Sequence, residues 1–503
     1  MPTAVITHFR KSPGLSWGTF VDFGGWTALD LLANSTFTAV SADSATIGWN
    51  ADEAYTVELT GSFIADGVGG ASDYTVNRAT VFHDGLKIQE WSSLDWTKGQ
   101  IDDLRSAVGS GDFNAFDVFL ATIQFTHIIK LTEHGLVMTT FGDDVVKAVK
   151  VTREGGLELF TYDGDDRIDL SAAGVKGGSY IGAGPGDDIV IGGPRVDFLF
   201  GEDGDDILRG GGGNDSLKAG GNSSKGHDGN DTLFGQDGND RLEGDTGDDR
   251  HFGGNGNDWI YDIWGKNVLS GGAGNDSMDG IGTLSGGAGN DSMDGIGTLS
   301  GGAGNDYMDG IGTLSGGAGN DQVYGIGTLS GSRGDDVVYG LGRLMGGPGN
   351  DVVSISKRFK FPDKKEIENV LDGGAGNDVL SASSYRGFTA TLRGGKGDDT
   401  FVSSNFNGVD TIDFNLNGDR SFGNDRFKDA NSLFDSFEDV LVFDAGVEIE
   451  LDHLRKRDAI LITATLDGRE IGTITMGWEK DRHFYRYDFK EWVEGIDDIL
   501  VFA

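Results

Sequence analysis

The chain has 503 residues, enough for two or three domains, and a formal net charge of −41 from 81 acidic and 40 basic side chains. That balance disfavours nucleic acid and anionic membrane surfaces as partners and favours cations or basic surfaces. With no cysteine, disulfides and thiolate metal sites are excluded, and no run of eighteen apolar residues is present to span a bilayer. The 86 glycines are periodic, which turns a composition otherwise typical of low complexity into the mark of a repeat fold.

Residues 1–160 are rich in aromatics, poor in glycine and not repetitive; residues 1–25 hold no apolar core suited to a secretory signal. Alternation at Tyr55 to Leu59 and Thr80 to Phe82 predicts half-buried strands, and Asp84-Gly85 predicts a hairpin turn before Leu86 to Ile88. Helical spacing is confined to Ile101, Leu104, Ala107 and Val108, with a second candidate at Phe116, Phe119 and Leu120. Strands are also expected at 149–151 and 157–159. The segment reads as a mainly antiparallel β domain with one or two short helices.

Residues 161–401 repeat. In the first section, aspartates fall nine apart at Asp188, Asp197, Asp206 and Asp215, and again at Asp231, Asp240, Asp249 and Asp258, with a seven-residue insertion near 222–225 between the two runs. Each nonapeptide divides into a six-residue turn and a three-residue strand, as at 235–243. The middle strand residues Val190, Leu199, Leu208, Leu217, Leu233, Leu242 and Ile260 are expected to point inward. Two nonapeptides make one coil of eighteen residues, with a glycine-aspartate turn on both edges.

From about 271 the period becomes fifteen. The turn Gly-Gly-Ala-Gly-Asn-Asp ends on Asp276, Asp291, Asp306 and Asp321, and the register continues to Asp336 and Asp351. The expected coil is a turn, a strand at 277–279, a short turn at 280–282 and a return strand at 283–285. Its inward columns are Met278, Met293, Met308, Val323 and Val338, opposite Leu284, Leu299, Leu314 and Leu329. The column Ile281, Ile296, Ile311, Ile326 and Leu341 either closes the narrow edge or faces out as an apolar contact stripe. Only one edge now carries aspartates. The seam is 262–270, where the leading glycines are lost and Asn267 stands in place of aspartate. A basic, aromatic loop follows within 352–370 (Lys357, Arg358, Lys360, Lys364, Lys365), then turns ending at Asp378 and Asp399. Residues 402–503 return to mixed β sequence, with strands expected at 439–443 and 460–464.

Successive coils stack about 4.8 Å apart, so like carboxylates would repel along each edge. A divalent ion between coils reverses that sign. Calcium takes six to eight hard oxygen ligands, and a glycine-rich turn can aim carbonyls inward while its aspartate supplies charge. Multiple calcium ions are therefore expected, on two edges in the first section and on one in the second.

The repeat Gly-Gly-x-Gly-x-Asp-x-apolar-x resembles the RTX (repeats-in-toxin, hemolysin-type) calcium-binding family over roughly residues 163–401. The resemblance implies an all-β protein: a parallel β-roll flanked by the N-terminal mainly antiparallel β domain and a C-terminal β-rich capping and secretion region. It implies ions held by the aspartates above and by turn carbonyls such as those of Gly271 and Ala273. It also implies type I secretion without a cleaved N-terminal signal, and the acidic-then-apolar ending 498–502 looks like the C-terminal export signal. The fifteen-residue period departs from the family's eighteen-residue coil.

Enzymatic motifs are weak. None of the eight histidines lies in His-Glu-x-x-His. Gly-x-Ser-x-Gly occurs once, around Ser16, but without the strand-to-helix context that exposes a nucleophile. Long apolar pore helices are absent. Asp52, Glu53, Glu58, His83 and Asp84 are acids and a histidine on a domain where such groups ordinarily solubilise. Trp17, Trp26, Trp49, Trp91 and Trp96 suit a core, with a carbohydrate platform as the alternative. Two functions stay open: a secreted, non-enzymatic, calcium-clamped rod of structural, adhesive or surface-associated type, whose N-terminal domain meets a glycan or cell-surface ligand; or a secreted polysaccharide-active enzyme with an accessory roll. The first is preferred, because units 270–284 and 285–299 are identical and a spacer tolerates such duplication.

Overall fold

The computed structural model describes residues 3–8, 37–40, 44–48, 55–65, 71–83, 86–97, 124–129, 135–138, 143–148, 157–171, 177–220, 229–355, 368–382, 389–402, 410–413, 423–428, 440–443, 448–454, 459–466, 469–477 and 500–502. The described elements are all strands. The chain divides into two compact units, Met1–Val268 and Leu269–Ala503. The predicted helices, the loop lysines and arginine, the 222–225 insertion, the strand at 149–151, Ser16, and the acidic start of the C-terminal ending lie outside the described residues. Among the described residues no helix is long and apolar enough to cross a membrane.

The first unit starts as an antiparallel meander. Phe37–Val40, Ser44–Gly48, Tyr55–Ala65, Ala71–His83 and Leu86–Thr97 pair in succession. His83 pairs directly with Leu86, while Asp84-Gly85 itself lies outside the described residues. Thr3–His8 then changes the mode: it pairs antiparallel with Leu86–Thr97 and parallel with Gln124–Ile129.

From there pairing is parallel, and strands alternate between two stacks. One stack runs through Asp144–Ala148, Arg167–Asp169, Ile189–Ile191, Ile207–Gly212, Thr232–Asp237 and Arg250–Asn255. The other runs through Gly135–Met138, Leu157–Phe160, Ser179–Gly182, Phe198–Phe200, Ser216–Lys218, Arg241–Glu243 and Trp259–Ala273. The register advances eighteen residues per coil, as in Val190 with Leu208, and stretches to twenty-five across the insertion, as in Leu208 with Leu233. All seven predicted inward residues are fully buried. Each contributes roughly 1.5–3 kcal/mol of apolar burial, which is what closes a coil of this width. Outward aromatics stack coil on coil: Tyr180 packs 5.0 Å from Phe200, and Arg241 lies 3.9 Å above the Trp259 ring.

In the second unit, Ser277–Ala288, Ser292–Ala303, Tyr307–Ala318, Gln322–Arg333 and Val337–Pro348 each pair in parallel with the next at an offset of fifteen. Residues 280–282 do not interrupt pairing: coil hydrogen-bonds to coil straight through the narrow edge, with Gly282 at φ 133° turning the corner inside a continuous strand. The Met/Val and Leu columns are buried as expected. The isoleucine column faces out, with Ile296 50% and Ile311 48% exposed, and only Leu341 at its far end is buried. Parallel pairing continues through Val379–Ser381, Thr400–Val402, Gly423–Lys428, Val440–Phe443 and Leu500–Phe502. Glu448–Leu454, Ala459–Leu466 and Arg469–Gly477 add an antiparallel meander joined to Gly423–Lys428. The strands expected at 439–443 and 460–464 are present.

Candidate cation ladder

Each six-residue turn holds its last aspartate in a fixed place. The backbone N–H of Asp276 donates to Oδ1 of Asp291 at 2.8 Å, Asp291 N–H to Asp306 Oδ1, and Asp306 N–H to Asp321 Oδ1. The carbonyl of Asp276 in turn accepts the N–H of Ser292 at 2.8 Å. The residue before the aspartate runs a second ladder in the opposite sense: Asn290 N–H donates to Asn275 Oδ1 at 2.7 Å. The Asn-Asp ending of the turn thus serves two separate hydrogen-bonded ladders, the first buried and the second at the surface.

The other oxygen of the buried aspartate is the informative atom. Among the described residues, Oδ2 is buried and has no hydrogen-bond partner at Asp188, Asp206, Asp215, Asp231, Asp240, Asp249, Asp258, Asp276, Asp291, Asp306, Asp321, Asp336, Asp351, Asp378 and Asp399. A buried carboxylate oxygen left without a donor carries a large desolvation cost. In each regular turn this oxygen faces the first glycine, where a Cβ would otherwise stand. The carbonyl of the next coil's first glycine converges on the same point: Gly301 O lies 2.6 Å from the Cβ position of Gly286, beside Asp291 Oδ2. The same pairing recurs at Gly316 with Gly331 O and at Gly373 with Gly394 O. A carboxylate oxygen and a carbonyl oxygen meeting with no donor between them suit a hard cation with oxygen ligands. The residues present therefore fit calcium.

One aspartate departs from the sequence expectation. Oδ2 of Asp197 accepts the N–H of Gly193 at 2.6 Å, because its turn has Arg195 where the fourth glycine belongs and the loop folds back on its own carboxylate. A Cβ on Gly271 would press on Asp276 Oδ2, so the first residue of the turn borders the orphaned oxygen. The carbonyls equivalent to Ala273, those of Ala288, Ala303 and Ala318, accept N–H groups from Gly274, Gly289 and Gly304, and a first-glycine carbonyl of the next coil converges beside Oδ2 of Asp291, Asp306 and Asp321. The ladders also reach further than the predicted site residues. Asp144 N–H donates to Asp166 Oδ1, Asp399 N–H to Asp425 Oδ1, and Asp166 and Asp425 have the same orphaned Oδ2. Their signal was short but present: Gly164-Asp165-Asp166 and Gly423-Asn424-Asp425 keep the last half of the motif.

Burial raises these carboxyls, and neighbouring aspartates raise them further. Asp188 and Asp425 reach about 9, Asp206, Asp231 and Asp378 about 8, and Asp291, Asp321, Asp336 and Asp351 about 6. A folded-state pKa above the unfolded value of about 3.9 means that folding takes up protons. In calcium-free solution, the folding contribution of these groups is complete below the unfolded value and lost as pH rises through the folded values. Acidification from about pH 9 to pH 4 should therefore increase the β signal of calcium-free protein in far-UV circular dichroism. A loss of signal over that range would contradict the buried ladder.

A parallel roll whose turns carry orphaned, buried carboxylates defines a cation-binding solenoid. The family model of the RTX calcium-binding nonapeptide repeat (4 copies) matches residues 182–217, 219–250, 243–278, 278–295, 298–312, 313–325, 325–342 and 368–384. Over these residues the chain carries RTX calcium-binding nonapeptide repeats, and the described strands form a parallel β-roll. No curated protein matches it.

Proposed function

We propose that the protein is secreted and that its β-roll folds on calcium outside the cell, forming a stiff, non-enzymatic rod with a structural, adhesive or surface-associated role. The observation that carries this reading is the row of buried Oδ2 atoms without a hydrogen-bond donor, beside which a carbonyl of the next coil converges at Asp206, Asp215, Asp240, Asp291, Asp306, Asp321, Asp351 and Asp378. In this reading the ligands are those aspartates with the first-glycine carbonyls, on both edges of the eighteen-residue coils and on one edge of the fifteen-residue coils. Asp197 is the member whose second oxygen is already engaged.

Calcium dependence matches the route. High negative charge and excess glycine oppose collapse, so at cytosolic calcium the repeats stay extended enough for type I export. Extracellular calcium modules bind at about 10⁻⁴ to 10⁻³ M, which delays folding until the chain emerges. The N-terminal antiparallel region would then present the glycan or cell-surface contact.

The test is a calcium titration of the whole chain with circular dichroism and light scattering read together, followed by incubation with a glycan panel. A cooperative β gain at submillimolar to millimolar calcium, with no glycan turnover, supports the rod. Turnover of any glycan would replace it with the enzyme reading, and an unchanged spectrum would remove calcium-driven folding.

A further inference from the structure

Where the two-edged coils end, one rung changes its chemistry. The inward strand column is Val190, Leu208 and Leu233, and then His251, which is fully buried. Its Nε2 lies 2.9 Å from Oδ2 of Asp262, also fully enclosed. Asp262 occupies the first position of its turn, a position held by Gly201, Ala219 and Gly244 in the preceding coils of that edge. Its carboxylate enters the space where a Cβ on Gly244 would stand, and His251 Nε2 lies 2.7 Å from the same point. In the regular turns that start at Gly201, Gly235 and Gly286, the polar atoms nearest that point are one carboxylate and one carbonyl oxygen.

Asp249, the ladder aspartate of this rung, completes the group. Its Oδ2 is buried and accepts no hydrogen bond. The donor atoms of Asp249, His251 and Asp262 all lie within 4.8 Å of one another. Asn267 adds no charge: its Oδ1 accepts the N–H of Asp249 at 3.0 Å, and its amide donates to the carbonyls of Trp264 and Asp262 at 2.8 and 3.3 Å. Two buried carboxylates therefore face one imidazole, with no lysine or arginine in the group. An enclosed pair of like charges is costly unless a cation joins it.

The donor set selects the kind of cation. Calcium is bound by oxygen, whereas a nitrogen donor beside two carboxylates suits the borderline divalent ions of the first transition row, whose bonds to such donors run about 2.0–2.2 Å. Among the described residues nothing bonds to His251 Nδ1, so no partner there locks the tautomer, and the Nε2 lone pair is open to an ion when Nδ1 carries the proton. We propose that Asp249, His251 and Asp262 form a site for a zinc-class divalent cation, chemically distinct from the oxygen-only calcium rungs and placed at the seam where the aspartate-bearing turns of that edge stop.

The experiment titrates Zn²⁺ into the full chain already saturated with millimolar calcium, by calorimetry, for the wild type, His251→Leu and Asp262→Gly. Leucine fills the same column at 208 and 233, and glycine holds the same turn position at 244, so both changes return the rung to its regular form. The other seven histidines are common to all three proteins, so only the difference between titrations is read. The expected result is one zinc equivalent in the wild type that is absent from both variants, and Co²⁺ loaded at that equivalent should give a visible spectrum that both variants lose. Equal zinc stoichiometry in all three proteins overturns the proposal. So does a wild type that takes up no zinc in the presence of calcium, which would assign the rung to calcium or to a shared proton.

Discussion

Chelation of calcium at neutral pH is expected to unfold the repeat array, with hydrogen exchange of peptides from 277–348 rising to the rate of an unstructured chain. Every coil there buries an aspartate whose Oδ2 has no donor, from Asp276 to Asp351. At 10–100 times the dissociation constant, each filled site stabilises the folded state by about 1.4–2.7 kcal/mol. Repeat arrays lose such terms together, because each coil's contacts lie with its neighbours. Asp306→Ala, in the middle of the ladder, removes the charged ligand and also the acceptor of Asp291 N–H. That variant should need several-fold more calcium for half-maximal folding than the wild type. Protection of 277–348 that survives complete chelation at neutral pH would remove calcium from the account of this fold.

The second large effect concerns two glycines of one turn that differ in what they tolerate. The second position has positive φ in every fifteen-residue coil from Gly272 to Gly347, for example Gly302 at 113° and Gly317 at 113°, yet it accepts Ser332 at 82°, as the equivalent position of earlier coils accepts Glu202 at φ 85° and Gln236 at 79°. The fourth position is glycine at Gly289, Gly304, Gly319 and Gly334, with φ between 132° and 140°. At both positions a Cβ would press on the previous coil's carbonyl, Gly302 O for Gly317 and Gly304 O for Gly319, but the fourth is the tighter and also has Asn305 Oδ1 3.0 Å away, with no side chain accepted there in these coils. Gly317→Ser should therefore cost under about 1 kcal/mol, since Ser332 already does the same one coil later, whereas Gly319→Ser should cost about 3 kcal/mol or more. Urea unfolding at fixed calcium separates the two, and equal midpoints would show that the coils can shift to admit a side chain at the fourth position.

Much of the roll was legible because a repeat makes its own alignment. Nine-residue spacing, two repeats to a coil, placed Val190 and Leu208 in one column, and fifteen-residue spacing placed Met293 over Met278; all of them are buried. The orientation of the isoleucine column was not legible. Ile296 lies between Gly295 and Gly297, and at a corner this tight the backbone angles decide whether the side chain points in or out. With Gly297 at φ 140°, it points out. The seam was visible as lost glycines, but a histidine in a leucine column gives no sign of its partner.

The sequence by itself determined the period, the inward columns and the identity of the charged residue in each turn, because these follow from local spacing and from which residues tolerate positive φ. Only the tertiary structure decided which oxygen of each aspartate is left over, that Asp197 satisfies its own, and that Asp262 reaches His251 eleven residues back. Those are relations between stacked or folded-back turns, fixed by the pitch of the coil and the direction of each side chain. No spacing along the chain encodes them.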